Sequence, residues 1–274
     1  MSMVSMWLLS TLVHEPVWHP VAEAERAFAQ TSRESTIVEA FKKWVADDSI
    51  LFRPTPVNGA DFFREKKPSK ATLWWQPTHV VISADRSMGL STGPYVFRDE
   101  AGGQGYYGHF LSVWGKQADG SWRVLIDDGV SHDDMPEANW PEKLVEGRAL
   151  QETRKSEKGW QILAERDRHY AGLVERSGGW KQAFEKVASQ NVRLYRRGTR
   201  PIQGRDAAVA KGAFEAGGTW EPMGGKLDGS GSLGFTYGTG RYANSEKEFL
   251  YLRVWQLEKG EYRLLAELVR GLKR

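Results

Sequence analysis

From Leu73 onward the chain alternates apolar and polar residues with a period of two. The segments Leu73–Ser83, Met88–Phe97, Tyr106–Lys116 and Trp122–Ile126 carry this pattern, and Gly, Asp and Ser fill the gaps between them. Period two places successive side chains on opposite faces, so these segments predict four strands of one sheet. Ala118-Asp119-Gly120 predicts a hairpin turn. Upstream the pattern is helical. Ala22–Val45 is rich in Ala, Glu, Arg and Lys, with Phe28, Val38, Phe41 and Val45 at mostly helical spacing. A short strand, Ser49–Arg53, and a short helix capped near Asn58 connect the two regions.

The second half repeats this order. Phe41 to Phe52-Arg53 matches Phe184 to Tyr195-Arg196, with the same spacing between aromatic residues. Gly59 and Asp61 match Gly204 and Asp206, and Trp75-Gln76-Pro77 matches Trp220-Glu221-Pro222. Met88-Gly89 through Gly93 matches Leu233-Gly234 through Gly238. Val113-Trp114 followed by Gly120-Ser121-Trp122-Arg123 matches Val254-Trp255 followed by Gly260-Glu261-Tyr262-Arg263. Five blocks in the same order at nearly constant offset mean one domain written twice. The expected fold class is α+β, as two tandem cone-shaped domains. In each, N-terminal helices pack on a strongly curved antiparallel sheet. The boundaries read as 20–133 and 159–274. A charged linker spans 134–158, with a helical piece from Pro141 to Thr153. Residues 1–19 form an apolar N-terminal arm or the remnant of a signal segment, because no Lys or Arg precedes the run and no cleavage site follows closely.

Composition narrows the chemistry. The chain has no cysteine, which excludes disulfides, thiolate metal sites and cysteine nucleophiles. No apolar run is long enough to span a membrane as a helix. The compartment is open between bacterial cytoplasm and periplasm. The 12 tryptophans supply bulk to fill a cone. Residues 1–133 carry 13 Lys+Arg against 16 Asp+Glu, whereas 159–274 carry 20 against 13. Halves of opposite sign can attract each other or a second copy.

The run LFRPTPVNG, then W-x-P, GLSTGPYVF and YGHFLSVWGKQADGSWRVLIDDGVSH, resembles the SnoaL-like branch of the nuclear-transport-factor-2-like superfamily. Within that branch the likeness is to bacterial domains of unknown function. It covers about residues 20–133 directly and 160–270 through the repeat. The resemblance implies a long helix and a curved sheet enclosing a pocket. It implies no single chemistry, since the superfamily holds isomerases, polyketide cyclases, dehydratases and non-catalytic binding or association modules. Sheet faces in this superfamily often dimerise, so an internal pseudo-dimer or a homodimer is expected.

Candidate chemistry lies in the first copy. His109 stands among apolar neighbours on strand Tyr106–Lys116, as a pocket base would. Asp127, on the next strand, is placed to orient it. Trp75, His79, Tyr95 and Tyr107 complete the expected lining, for a small apolar or aromatic ligand. In the second copy His109 aligns with Leu250, and Asp127 falls near Ala266 or Glu267, so chemistry belongs to the first cone alone. His132, Asp133 and Asp134 after Asp127-Asp128 are consecutive, not at metal-ligand spacing, and read as a solvated domain end; no metal or cofactor is expected. Arg193, Arg196, Arg197, Arg200 and Arg205 surround Tyr195, a pattern that single-strand nucleic acid binding also uses. With an acidic partner half they read as an interdomain face, and no nucleic acid is expected.

Overall fold

A computed structural model describes residues 19–132, 140, 146–176, 180–212, 218–242 and 246–272. The arm expected over 1–19 lies outside them except for His19, which precedes the first helix. That helix region is two helices: α1 (Pro20–Glu34) and α2 (Ile37–Trp44). The break falls at Ser35-Thr36, where the Thr36 hydroxyl caps α2 by accepting from Glu39 N at 3.1 Å. The short helix α3 (Gly59–Glu65) is capped as expected, with the Asn58 side chain accepting from Asp61 N.

Around these helices run β1 (Val45–Phe52), β2 (Pro56–Asn58), β3 (Thr72–Trp75), β4 (His79–Ile82), β5 (Met88–Arg98), β6 (Tyr106–Lys116) and β7 (Trp122–Ser131). The order across the first sheet is β2-β1-β7-β6-β5-β4, with β3 also on β5. The second half has α4 (Gln161–Arg176), α5 (Trp180–Val187), β9 (Ala188–Arg196), β10 (Ile202–Gln203), α6 (Arg205–Lys211), β11 (Gly218–Leu227), β12 (Leu233–Tyr242), β13 (Glu248–Glu258) and β14 (Glu261–Gly271). Its sheet order, β10-β9-β14-β13-β12-β11, is the same topology. The α+β cone is therefore present twice.

Two expectations need correction. The sheets are mixed, not purely antiparallel: β1 runs parallel to β7, and β9 parallel to β14. The helix hairpin delivers the chain beside the last strand of the sheet, in that strand's own direction. The stretch expected to hold a helix from Pro141 contains instead β8 (Glu146–Ala149), which pairs parallel with β4 at the sheet edge. An edge strand satisfies the free backbone groups of β4, which no local helix would do.

The helices cover one face of each sheet, and the opposite faces meet. Leu90, Leu111, Val113 and Val130 of the first sheet share one apolar cluster with Phe235, Leu250, Leu252 and Leu268 of the second. Separate clusters fill the space between each sheet and its own helices. The layers thus run helices, sheet, sheet, helices.

Candidate functional site in the first cone

Glu25 lies on the apolar stripe of α1, fully buried, in line with Val21, Phe28 and Ala29. The Trp75 indole donates to Glu25 Oε1 at 2.6 Å and the Trp114 indole to Oε2 at 2.7 Å. Burial still pushes the Glu25 carboxyl up to about 7, against these hydrogen bonds. Asp127 faces the same interior. Its pKa is raised by burial, against a hydrogen bond donated by Ser112 Oγ at 2.6 Å and the nearby charge of Arg53. Glu25, Asp127, Phe28, Phe41, Trp75 and Phe110 belong to the lining of a cavity of about 240 Å³. The cone thus holds an apolar and aromatic wall with two acidic groups set into it.

The second cone shows what the same scaffold does when filled. Asp167 on α4 stands where Glu25 stands and accepts from the Trp220 indole at 2.9 Å. Aspartate is one methylene shorter, and Thr236 bridges the gap: its hydroxyl donates to Asp167 at 2.8 Å and accepts from the Trp255 indole at 2.9 Å. The Trp114/Trp255 register places Arg253 opposite Ser112. Arg253 pairs with Asp167 and, at 2.7 Å, with Glu267, which also pairs with Arg196. Its guanidinium lies within 5.1 Å of the Tyr170, Trp220 and Tyr251 rings. Burial opposes the charge on Arg253, but Asp167 and Glu267 outweigh it and hold its pKa up. Burial likewise works against the Glu267 charge, yet Arg196 and Arg253 keep its pKa below the usual value. About 50 Å³ of cavity remains there. The replacement of His109 and Asp127 by other residues in the second copy therefore does not make that cone apolar: it holds buried charges too, but they are paired.

The mouth of the first cone is built by both halves. Arg270 of β14 reaches across to Asp128 Oδ1 at 3.1 Å and donates to Phe52 O at 2.9 Å. Arg53 approaches the same Asp128 oxygen at 3.8 Å. Burial pushes Asp128 up to about 7, opposed by Arg270 and Arg53. Asp127 and Asp128 are therefore interior groups, not part of a solvated domain end. Asp133 and Asp134 of that expected cluster lie outside the described residues.

Tyr95 lines the cavity, and its phenol is pushed up to about 12 by burial and by Asp128 and Asp127. Its ring lies across two glycines. A Cβ on Gly108 would come within 2.4 Å of the phenol oxygen, and one on Gly129 within 2.9 Å of the ring.

Of the expected site residues, Trp75, Tyr95 and Asp127 border this cavity. His109, Tyr107 and His79 do not. Alternation along β6 does separate His109 from Phe110, Ser112 and Trp114, but the latter three face the cone. His109 shares its face with Leu111 and Val113, which pack in the sheet–sheet layer. Its Nδ1 lies 2.7 Å from His132 Nε2, and burial, His132 and the charges of Arg193 and Arg200 push the imidazole down to about 3. Tyr107 shares that parity. His79 was expected on the face of Trp75. Between the Trp75–Tyr95 and His79–Thr92 pairs, however, the chain advances four residues against three on β5. The extra residue turns His79 to the opposite face, beside Val81. We expect His109→Leu, which copies Leu250, to leave ligand affinity within about twofold; a larger loss in a titration would put His109 back in the site.

Sequence reasoning missed Glu25, Ser112, Asp128, Arg53 and Arg270. A signal existed for Glu25: an acid within an apolar helical stripe, matched by Asp167 in the repeat. Nothing local signals Arg270.

No family model matches the chain, and no curated protein matches it. Among solved structures, an NTF2-like protein of unknown function from Silicibacter pomeroyi is similar at 16% identity, covering 41% of this chain and 96% of that one, with a TM-score of 0.33. An NTF2-like superfamily protein from Salmonella enterica is similar at 16% identity, over 43% of this chain and 92% of that one, with a TM-score of 0.33. An NTF2-like protein with a cystatin-like fold from Novosphingobium aromaticivorans is similar at 12% identity, over 40% and 79%, with a TM-score of 0.33. Each of these likenesses covers about two-fifths of the chain.

Proposed function

We propose that the first cone binds a small, mostly apolar or aromatic molecule, and that the second cone is a closed support. One observation carries this reading. The same architecture occurs twice, and it encloses about 240 Å³ where position 112 is serine but about 50 Å³ where its counterpart, Arg253, fills the space. An apolar pocket with a few convergent polar groups is the usual form of a small-molecule site. The aromatic wall supplies contact area. Glu25 and Asp127 select ligands whose polar atom can hydrogen-bond to a carboxyl group.

A thermal-shift screen against steroids, polyketide-like aromatics and small carboxylates tests the reading. Hits should raise the Tm and change the tryptophan fluorescence, because Trp75 borders the cavity. Hits that stabilise a Ser112→Arg variant equally would place binding elsewhere.

A second reading, an isomerase, cyclase or dehydratase, has one observation in its favour. Burial raises the pKa of both Glu25 and Asp127, and such carboxyls can exchange protons near neutral pH. In that reading a carboxyl group, not His109, moves the proton, and the Tyr95 phenol offers a hydrogen bond to the ligand. Incubation of each hit followed by mass spectrometry separates turnover from binding.

A further inference from the structure

Outside the cone, beside its mouth, lies a second cavity of about 560 Å³ at the junction of the two halves. The two cavities share Arg53, Tyr95, Gly129 and Arg270 as lining, so they are direct neighbours. The outer cavity carries three arginines, Arg53, Arg197 and Arg270, and among the described residues no acidic side chain lines it. Apolar surface from Phe52, Phe62, Val130 and Leu272 lies between them.

The second half supplies two of the three arginines. Arg270 comes from β14. Arg197 sits in the turn after β9, and that turn is tied to the first half by a hydrogen bond from Gly198 N to Ser131 O at 2.8 Å. Arg197 is exposed, and its charge reaches the Tyr95 phenol. Asp128 takes one ion pair from Arg270 and a longer one from Arg53, leaving positive charge in excess at the mouth.

We propose that the ligand is an organic acid whose apolar or aromatic body enters the first cone while its carboxylate stays at the mouth, held by Arg197, Arg270 and Arg53. This inference rests on the cone being a ligand site. Guanidinium groups bind carboxylates through parallel N–H donors, and the apolar surroundings strengthen those bonds. The carboxyls of the cone floor exclude the reverse orientation, because an anionic head beside Glu25 and Asp127 would be repelled. The second half therefore contributes directly to recognition in the first, and a first half expressed alone would lack part of the site.

The test compares three probes of one shape, 2-naphthylacetate, 2-naphthylacetamide and 2-(2-naphthyl)ethylamine, titrated into the full chain by calorimetry. The acid should bind at least tenfold more tightly than the amide, about 1.4 kcal/mol. Raising the ionic strength from roughly 0.05 to 0.5 M should weaken the acid and spare the amide. Arg197→Gln breaks no observed ion pair and should fold normally. It should lower acid affinity about threefold to tenfold without changing the amide. Equal binding of acid and amide, tighter binding of the amine, or an indifferent Arg197→Gln would overturn the inference while leaving the cone as a ligand site. Absence of binding by all three probes would overturn both.

Discussion

Replacing Arg253 by serine, the residue at the matching place in the first cone, is expected to destabilise the protein by about 3–5 kcal/mol at pH 7. Arg253 is 3% exposed and stands between Asp167 and Glu267, which are 0% and 2% exposed. Among the described residues, removing it leaves Asp167 without an ion-pair partner and Glu267 with Arg196 alone, in a space lined by Tyr170 and Trp220. A buried charge that loses its partner keeps the full cost of its desolvation. Urea denaturation at several pH values measures the effect. The deficit should shrink towards pH 4, because protonation relieves the stranded carboxyls. A loss below about 1 kcal/mol at neutral pH would show that the ion network does not hold the second cone together.

The reciprocal change, Ser112→Arg, is expected to close the first cone and abolish ligand binding while the chain still folds. The walls around position 112 already match those around Arg253, with Phe28, Trp75 and Phe110 where Tyr170, Trp220 and Tyr251 stand. Glu25 and Asp127 would become the partners of the new guanidinium. The pH dependence gives a sharper signature. Burial raises the folded-state pKa of Glu25 from its ordinary value of 4.5 to about 7. Its destabilising effect on the native protein is therefore absent below about pH 4.5, grows as pH rises, and is complete above about 7. Pairing with arginine removes that penalty. Stability of Ser112→Arg relative to the native sequence should rise by about 2–3 kcal/mol between pH 5 and pH 8. Parallel stability profiles for the two proteins would refute the electrostatic account of the cone.

Together these changes test how much of the difference between the halves rests on one position of one strand. The surrounding aromatic box and the helix-borne acid are common to both. The copy with an arginine at that position keeps about 50 Å³ of cavity, and the copy with a serine about 240 Å³. Such a duplication lets one copy secure the fold while the other keeps a cavity, which costs stability through lost packing and unpaired carboxyls.

The site was only partly legible beforehand, for reasons that particular residues make clear. Trp75, Tyr95 and Asp127 border the cavity, but Asp127, expected to orient His109, accepts a hydrogen bond from Ser112 on the other face of the sheet. His109 illustrates the failure. Period two assigns β6 two faces, but both are apolar, since one meets helices and the other meets a second sheet. Nothing along the strand says which face encloses a cavity. Leu250, the counterpart of His109, was the available clue, because a leucine buried between sheets marks the outer layer. His79 failed differently, through one extra residue at Gln76–Thr78 that reverses the parity of everything after it on that strand.

The amino-acid sequence alone determined the duplication, the helix-then-sheet order of each copy and the turns between strands. All of these are carried by local periodicity and by spacings repeated at a constant offset. Tertiary structure decided which sheet face became a pocket and which became a seam. It also placed β8 on the edge of the first sheet and brought Arg270 and Arg197 to a mouth in the opposite half. Local pattern records what each residue prefers to face, but contacts between residues more than a hundred positions apart are set by how whole faces pack. The acidic floor belongs to the first half, and the basic rim comes in large part from the second.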